Sequence, residues 1–310
     1  MRVNVEGVYS KWNDVESGVP QGSVLGPLLF VLYVNDITTL VKSSVKLFAD
    51  DTKIWRSMRT QEDEKIMQAD IDELNDWSED WLLKFNTDKC KQMSIGNGTK
   101  GQYFIGNGEF RKKLVSVNEE KDLGVIVTSD LKWNKQCNAA ASKAMQVLGM
   151  IKRTFNHLNK ELFLTLYGTY VRPHLEYCVQ VWAPYYRKDI QLLERVQHRA
   201  TKLVKCINLL NYNERLRYLG LYSLERRRRR GDLIETYKIL TDIEDTSSET
   251  FFQKSRMSQL RGHQFKLYKM RSVSMSRRNF FSQRVVNDWN GLPGEIVDAP
   301  SLDAFKKRLD

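Results

Sequence analysis

The sequence predicts an α+β chain in two parts, a mixed strand-and-helix first part followed by an all-helical second part. Three observations predict it. Short alternating apolar runs broken by turn signals fill the residues before 133, one acidic amphipathic helix lies among them, and helical stripes dominate afterwards.

In chain order, Val3 and Val5 alternate ahead of Glu6-Gly7, and Val8 and Trp12 would share one strand face after it, which predicts a β-hairpin. Over residues 24–35 the apolar run is too long and continuous for a strand, and it follows Ser23, a helix-capping residue, so a buried helix is expected. Val45, Leu47 and Ala49 then share a strand face, with Ile54-Trp55 on the return strand after the Asp50-Asp51 turn. Met67, Ile71, Leu74, Trp77 and Trp81 recur at spacings of three and four among acidic residues, the mark of an amphipathic helix packed on a sheet. Short strands are expected within 84–95, 102–105 and 123–127.

From about residue 133 the period is helical. Cys137, Ala141, Ala144, Leu148, Ile151 and Phe155 form one stripe. Leu193, Val196, Ala200, Leu203 and Ile207 form another, with Arg195, Arg199, Lys202 and Lys205 off that face. Residues 223–240 make a further helix carrying Arg226, Arg227, Arg228, Arg229 and Arg230, and the polar stretch 242–250 reads as a linker. The expected division is therefore 1–132, 133–241 and 242–310.

The chain of 310 residues carries a net charge of +11. Residues 1–100 hold 12 Lys and Arg against 16 Asp and Glu, and residues 101–310 hold 37 against 22. The basic charge thus belongs to the second part, where it suits an anionic partner, because bound cations release counterions from phosphates. Cys90, Cys137, Cys178 and Cys206 are far apart and lack zinc-ligand spacing. No signal peptide or membrane-length apolar run is present, so a cytoplasmic or nuclear protein is expected, without membrane association.

Adjacent aspartates at a hairpin tip suit metal-assisted phosphoryl chemistry, since divalent magnesium prefers hard oxygen ligands. Asp is equally common in turns for its own backbone hydrogen bonding. Order decides between these readings: the segment 17–27, Ser-Gly-Val-Pro-Gln-Gly-Ser-Val-Leu-Gly-Pro, precedes an apolar helix, then Phe48-Ala49-Asp50-Asp51, then an amphipathic helix. Together these resemble the reverse transcriptases of non-LTR, LINE-type and jockey-like retrotransposons. The resemblance continues through Trp81-Leu82-Leu83-Lys84-Phe85-Asn86-Thr87-Asp88-Lys89-Cys90 and Lys121-Asp122-Leu123-Gly124-Val125. It extends to Val171-Arg172-Pro173-His174, Leu193-Glu194-Arg195-Val196-Gln197-His198-Arg199-Ala200 and Arg284-Val285-Val286-Asn287-Asp288-Trp289.

The resemblance implies a partial polymerase palm, an antiparallel sheet with packed helices, followed by an all-α thumb and a C-terminal extension. It implies Asp50 and Asp51 as catalytic ligands of Mg2+, and Pro20, Gln21, Gly22, Ser23 and Phe48 as nucleotide and template contacts. RNA template, DNA primer and deoxynucleoside triphosphates are the implied partners. Lys89 would lie near the triphosphate, although a solvated strand-end lysine fits it as well. Arg226 to Arg230 suit either phosphate contact or a salt-bridged helix face. His174 and His198 belong to no recognisable ligand pattern. Trp12, Trp55, Trp77 and Trp81 fit amphipathic periods and are expected to pack in the core.

In that family a third catalytic aspartate precedes the Pro-Gln-Gly loop by several tens of residues, together with the fingers domain. Only 19 residues precede Pro20, and Glu6, Asp14 and Glu16 match no part of that strand. An N-terminally truncated reverse transcriptase is expected, inactive alone, with an uncovered palm-sheet edge open to association. The alternative is a non-catalytic RNA- or DNA-binding or interaction protein of retrotransposon origin.

Overall fold

A computed structural model describes residues 2–14, 22–96, 101–255 and 263–310. The chain divides into two compact units, 1–118 and 119–310.

The first unit opens on the expected hairpin, β1 (Asn4–Val5) and β2 (Val8–Tyr9), turning at Glu6-Gly7. The strands are too short to carry Trp12, which is 71% exposed and not the core residue expected. Then come α1 (Leu25–Val34), α2 (Ile37–Leu40), and the antiparallel pair β3 (Ser44–Phe48) and β4 (Asp51–Trp55). The long helix α3 (Gln61–Asp80) begins at a capping box in which Thr60 and Asp63 satisfy each other's backbone amides. It buries Met67, Ile71, Leu74 and Trp77, the predicted stripe. Trp81 sits half-exposed just past its end, stacked on Trp77 at 6.0 Å. Trp55 points outward on β4.

Short strands follow: β5 (Lys91–Gln92), β6 (Phe104–Ile105), β7 (Lys112–Lys113) and β8 (Val115–Ser116), with β5 parallel to β8 and β6 antiparallel to β7. Gln68 on α3 stands in for a missing strand neighbour. Its amide accepts from the Phe104 N–H at 2.9 Å and donates to the Phe104 carbonyl at 2.8 Å. Two small cores result, one around Met67, Ile71, Tyr103, Ile105 and Leu114, the other around Val34, Ile37, Leu74 and Trp77.

The buried helix expected over 24–35 is a helix, yet it is not buried. Leu25, Leu28, Leu29, Val31 and Leu32 are each at least half exposed, and only Gly26 and Val34 lie inside. The run is apolar on every side, which predicts burial on every side. Among the described residues it has packing partners on one side alone.

The second unit starts with β9 (Glu119–Asp122) and β10 (Val125–Thr128), an antiparallel hairpin. Leu123 and Gly124 turn it with φ of 44° and 87°, the twist a two-residue hairpin turn requires. Helices follow: α4 (Asn134–Thr154), α5 (Lys160–Leu166), a π-helical turn (Tyr167–Val171), α6 (Arg172–Glu176), α7 (Val179–Trp182), α8 (Arg187–Thr201), α9 (Tyr212–Leu219) and α10 (Leu224–Leu240). The predicted stripes of α4 and α8 meet in one core with Tyr167, Leu175 and Trp182. Leu203 and Ile207 belong to that core from beyond the end of α8.

The remainder is built of short helices: α11 (Ser248–Phe251), α12 (Met275–Arg278), α13 (Phe281–Arg284), α14 (Val286–Asn290), α15 (Gly294–Val297) and α16 (Leu302–Leu309). They close over Leu233, Tyr237 and Leu240 of α10 in a second core centred on Trp289 and Phe305. No described helix is long and apolar enough to cross a membrane.

Candidate metal and nucleotide site

Strand alternation sets the hairpin that carries the aspartates. Val45 and Leu47 on β3, and Thr52 and Ile54 on β4, turn inward, so Phe48 and Asp51 face solvent. Phe48 pairs with Asp51 in register, leaving Ala49 and Asp50 as a two-residue turn with Ala49 at φ 51°. Phe48 is 64% exposed. Asp50 and Asp51 are both exposed, and neither carboxylate makes a hydrogen bond or ion pair among the described residues. Two negative side chains on adjacent residues at an open tip are held there by turn geometry alone.

The base of the hairpin is better anchored. Asp70, buried on α3, accepts the backbone N–H of Lys42 at 2.9 Å and that of Ser43 at 2.8 Å. This carboxylate fixes where β3 begins, and through it where Phe48 and the aspartates end. Beside β3 runs an open cleft of about 600 Å³, lined by Val31 and Val34 of α1, by Asn35 just past it, and by Val45, Lys46 and Leu47 of β3 with Ser43 and Ala49 on either side of the strand. The Ser43 hydroxyl there is buried and has no hydrogen-bond partner among the described residues.

Of the predicted loop, Pro20 and Gln21 lie outside the described residues. Gly22 has φ 85°, a conformation that favours glycine. The Ser23 hydroxyl accepts the Gly26 N–H at 3.0 Å, so it serves the start of α1 as expected of a cap, from two residues ahead of Leu25, where the helix begins. Lys89 is exposed in the turn after Asn86, whose carbonyl accepts its backbone N–H at 3.0 Å. No described hydrogen bond or ion pair joins Lys89 to the hairpin.

The arginine run of α10 is divided in its roles. Arg227 pairs with Glu176, and Arg230 grips Asp310 through two nitrogens at 2.6 and 2.8 Å. Arg228 is buried, neither terminal nitrogen has a hydrogen-bond partner among the described residues, and burial lowers its pKa. Arg226 lies over the Tyr222 ring at 4.0 Å and Arg229 reaches Glu225 at 3.4 Å, both outward-facing.

The family described as Reverse transcriptase (RNA-dependent DNA polymerase) matches residues 4–152, which include the whole hairpin and its anchor. This segment is a reverse transcriptase domain. Its likenesses are of the non-LTR type. The RNA-directed DNA polymerase from mobile element jockey of Drosophila funebris is 25% identical over 65% of this chain and 23% of its own length. The probable RNA-directed DNA polymerases from transposons X-element and BS of Drosophila melanogaster are 24% and 23% identical, over 65% and 72% of this chain and 23% and 26% of theirs. The chain thus spans about a quarter of the length of these relatives. No solved structure matches it significantly.

Reverse transcriptases as a family are nucleotidyl transferases that use divalent metal. Here the donor set does not fit a two-metal centre. Asp50 and Asp51 offer carboxylates, but no group of three or more His, Cys, Asp or Glu side chains capable of holding a metal exists among the described residues. A two-metal site must clamp both attacking and leaving oxygens, and two exposed, unbraced carboxylates are too few to fix that geometry.

Sequence reasoning missed Asp70. The signal was present: positions 67, 70, 71 and 74 share one helix face, and an aspartate inside that apolar stripe must find hydrogen-bond donors. It missed Gln68 and Gln197 in the same way. The buried Gln197 accepts from the Tyr167 hydroxyl at 2.6 Å and donates to Tyr212 and to the Tyr222 carbonyl.

Proposed function

We propose that this chain supplies the Asp-Asp hairpin of an RNA-directed DNA polymerase, one that copies a retrotransposon RNA using a DNA primer and deoxynucleoside triphosphates in the cytoplasm or nucleus. The observation that carries the proposal is the Phe48–Asp51 pair, which projects Asp50 and Asp51 from the tip of a hairpin anchored at its base by Asp70. In this reading residues 1–132 are palm, 133–241 thumb-like and 242–310 a linker and extension. Gly22, Ser23, Phe48 and Lys89, with Pro20 and Gln21, meet nucleotide and template. Asp50 and Asp51 ligate magnesium together with a carboxylate from outside the described residues. Arg226 and Arg229 are the outward members of their run and the ones placed to meet nucleic acid.

The same reading accounts for the apolar surface of α1 and the free edge of β3. Among the described residues β3 pairs with β4 alone, and the cleft between β3 and α1 offers an apolar wall, a strand edge and a hydroxyl without a partner there. A further strand added there would cover all three.

The purified chain, given primed RNA template, nucleotides and magnesium, is expected to extend nothing. Joined behind the part of the jockey relative that lies ahead of the matched residues, it is expected to extend primer, and Asp50→Ala or Asp51→Ala should abolish that extension. Extension that survives both substitutions would overturn the assignment.

A further inference from the structure

Four leucines make a stripe along the outer side of α1. Leu25, Leu28, Leu29 and Leu32 stand at i, i+3, i+4 and i+7, which puts them on one face of the helix, and each is 50–63% exposed. Buried Val34, and Phe30 in the small core beside it, lie on the opposite side. Val24 and Tyr33, one turn from Leu28 and Leu29, widen the stripe and are 92% and 41% exposed. The six side chains bare roughly 700 Å² of surface, more than the largest apolar patch of an ordinary monomer and near the roughly 800 Å² that one partner gives a standard interface.

The chemistry of this face narrows what can cover it. From Leu25 to Val34 the helix carries no charge, so a two-fold contact, in which the same patch meets itself, brings no like charges together. Asp36 continues the stripe one turn past Leu32, is exposed, and its carboxylate makes no hydrogen bond or ion pair among the described residues. The opposite end of the helix, with no acidic residue in its first turn, carries the positive end of the helix dipole. Antiparallel pairing of two such helices carries each Asp36 to the start of the partner's helix. It also sets Leu25 against Leu32 and Leu28 against Leu29 of the other copy, side chains of one size at helix-packing spacing. A membrane is a poor match, since no Lys or Arg lies between Lys11 and Lys42 to meet lipid headgroups.

We infer that two copies of this chain pair antiparallel through α1, leucine stripe against leucine stripe. The cleft beside β3 is lined from α1 by Val31 and Val34, which are off the stripe, so pairing does not use it. Pairing uses no residue of the aspartate hairpin either, and it stands or falls separately from polymerase activity.

Sedimentation of the full chain over a concentration series is expected to show a monomer–dimer equilibrium. Leu29→Lys, which sets two cations near the two-fold axis, should weaken it about a hundredfold or more. Asp36→Asn, which removes no capping hydrogen bond, should weaken it about threefold to thirtyfold, and it covers the case in which the lysine variant fails to fold. In a Cys178→Ser, Cys206→Ser background, Leu29→Cys should cross-link two copies on mild oxidation and Val24→Cys should not, because antiparallel pairing holds the two Val24 positions about 13 Å apart. A chain that is monomeric at every concentration would overturn the inference. So would a dimer that Leu29→Lys leaves intact, which would place the contact elsewhere, preferential cross-linking through Val24→Cys, or binding of phosphatidylserine vesicles in place of a second copy.

Discussion

The carboxylate of Asp70 accepts the backbone N–H of Ser43 at 2.8 Å, and the Lys42 N–H beside it, so a helix residue sets the first residue of the strand that ends in the aspartate hairpin. Asp70→Ala would orphan two amide donors at a buried position. Each such loss costs on the order of 1–3 kcal/mol. The variant should unfold its first unit about 3 kcal/mol more easily, and amide hydrogen exchange should rise along 42–48 before it rises in α3. Unchanged protection along 42–48 would show that the hairpin does not depend on this anchor.

The outer face of α1 should tolerate charge. Leu28→Lys with Leu32→Lys alters side chains that are 57% and 63% exposed, so stability should move by no more than about 0.5 kcal/mol. Self-association, followed by light scattering against concentration, should fall. A loss of several kcal/mol would mean that this face is packed against the rest of the chain.

Asp63 caps α3, and hydrogen bonds from the Arg59 backbone, the Arg56 guanidinium and Thr60 hold its carboxyl down at about 2. A carboxylate with a depressed folded pKa stabilises the fold fully above its ordinary value of 3.8, and that contribution is lost as pH falls toward about 2. Comparing acid unfolding of the natural chain with Asp63→Asn should therefore show the gap between them narrowing as pH falls through that window. A gap that widens would contradict the sign.

Arg284 forms a two-pronged ion pair with Asp232, both contacts at 2.8 Å, and joins α13 to α10. Asp232 is buried, and burial raises its pKa against the lowering effect of Arg284. Arg284→Met should cost about 3–5 kcal/mol at neutral pH, since it leaves a buried carboxylate unpaired. The penalty should shrink as pH falls and Asp232 takes up a proton. Asp232→Leu combined with Arg284→Met should recover much of the loss in denaturant unfolding.

Arg228 presents the opposite case, a buried guanidinium whose terminal nitrogens have no hydrogen-bond partner among the described residues. Arg228→Met keeps the volume and removes the desolvation cost. Stability should hold or rise by about 1 kcal/mol. A clear loss would reveal that the half-buried charge of Glu194 or Glu176 depends on it.

Local pattern was legible wherever one periodicity governed a segment. Met67, Ile71, Leu74 and Trp77 announced α3, the turn at Glu6-Gly7 announced the first hairpin, and Ser223 announced α10, because caps, turns and helical spacing act within a few residues. The aspartate hairpin was legible for the same reason: Val45 and Leu47 against Phe48 and Asp51 is strand alternation closed by a short turn. The reverse transcriptase family was legible from motif order.

Burial was not legible where partners decide it. An apolar run such as Leu25–Val34 specifies a helix, but which of its faces is covered depends on elements far away in sequence, and here most of it stays open. Likewise five consecutive arginines look equivalent in sequence. Glu176 and Asp310, 51 and 80 residues from their partners, decide which are held and which face outward. The sequence by itself determined the elements, the hairpin and the lineage, through interactions between near neighbours. Only tertiary structure decided that Asp70 anchors the hairpin and that α1 lies bare among the described residues, because each depends on which distant groups come within hydrogen-bonding or contact range.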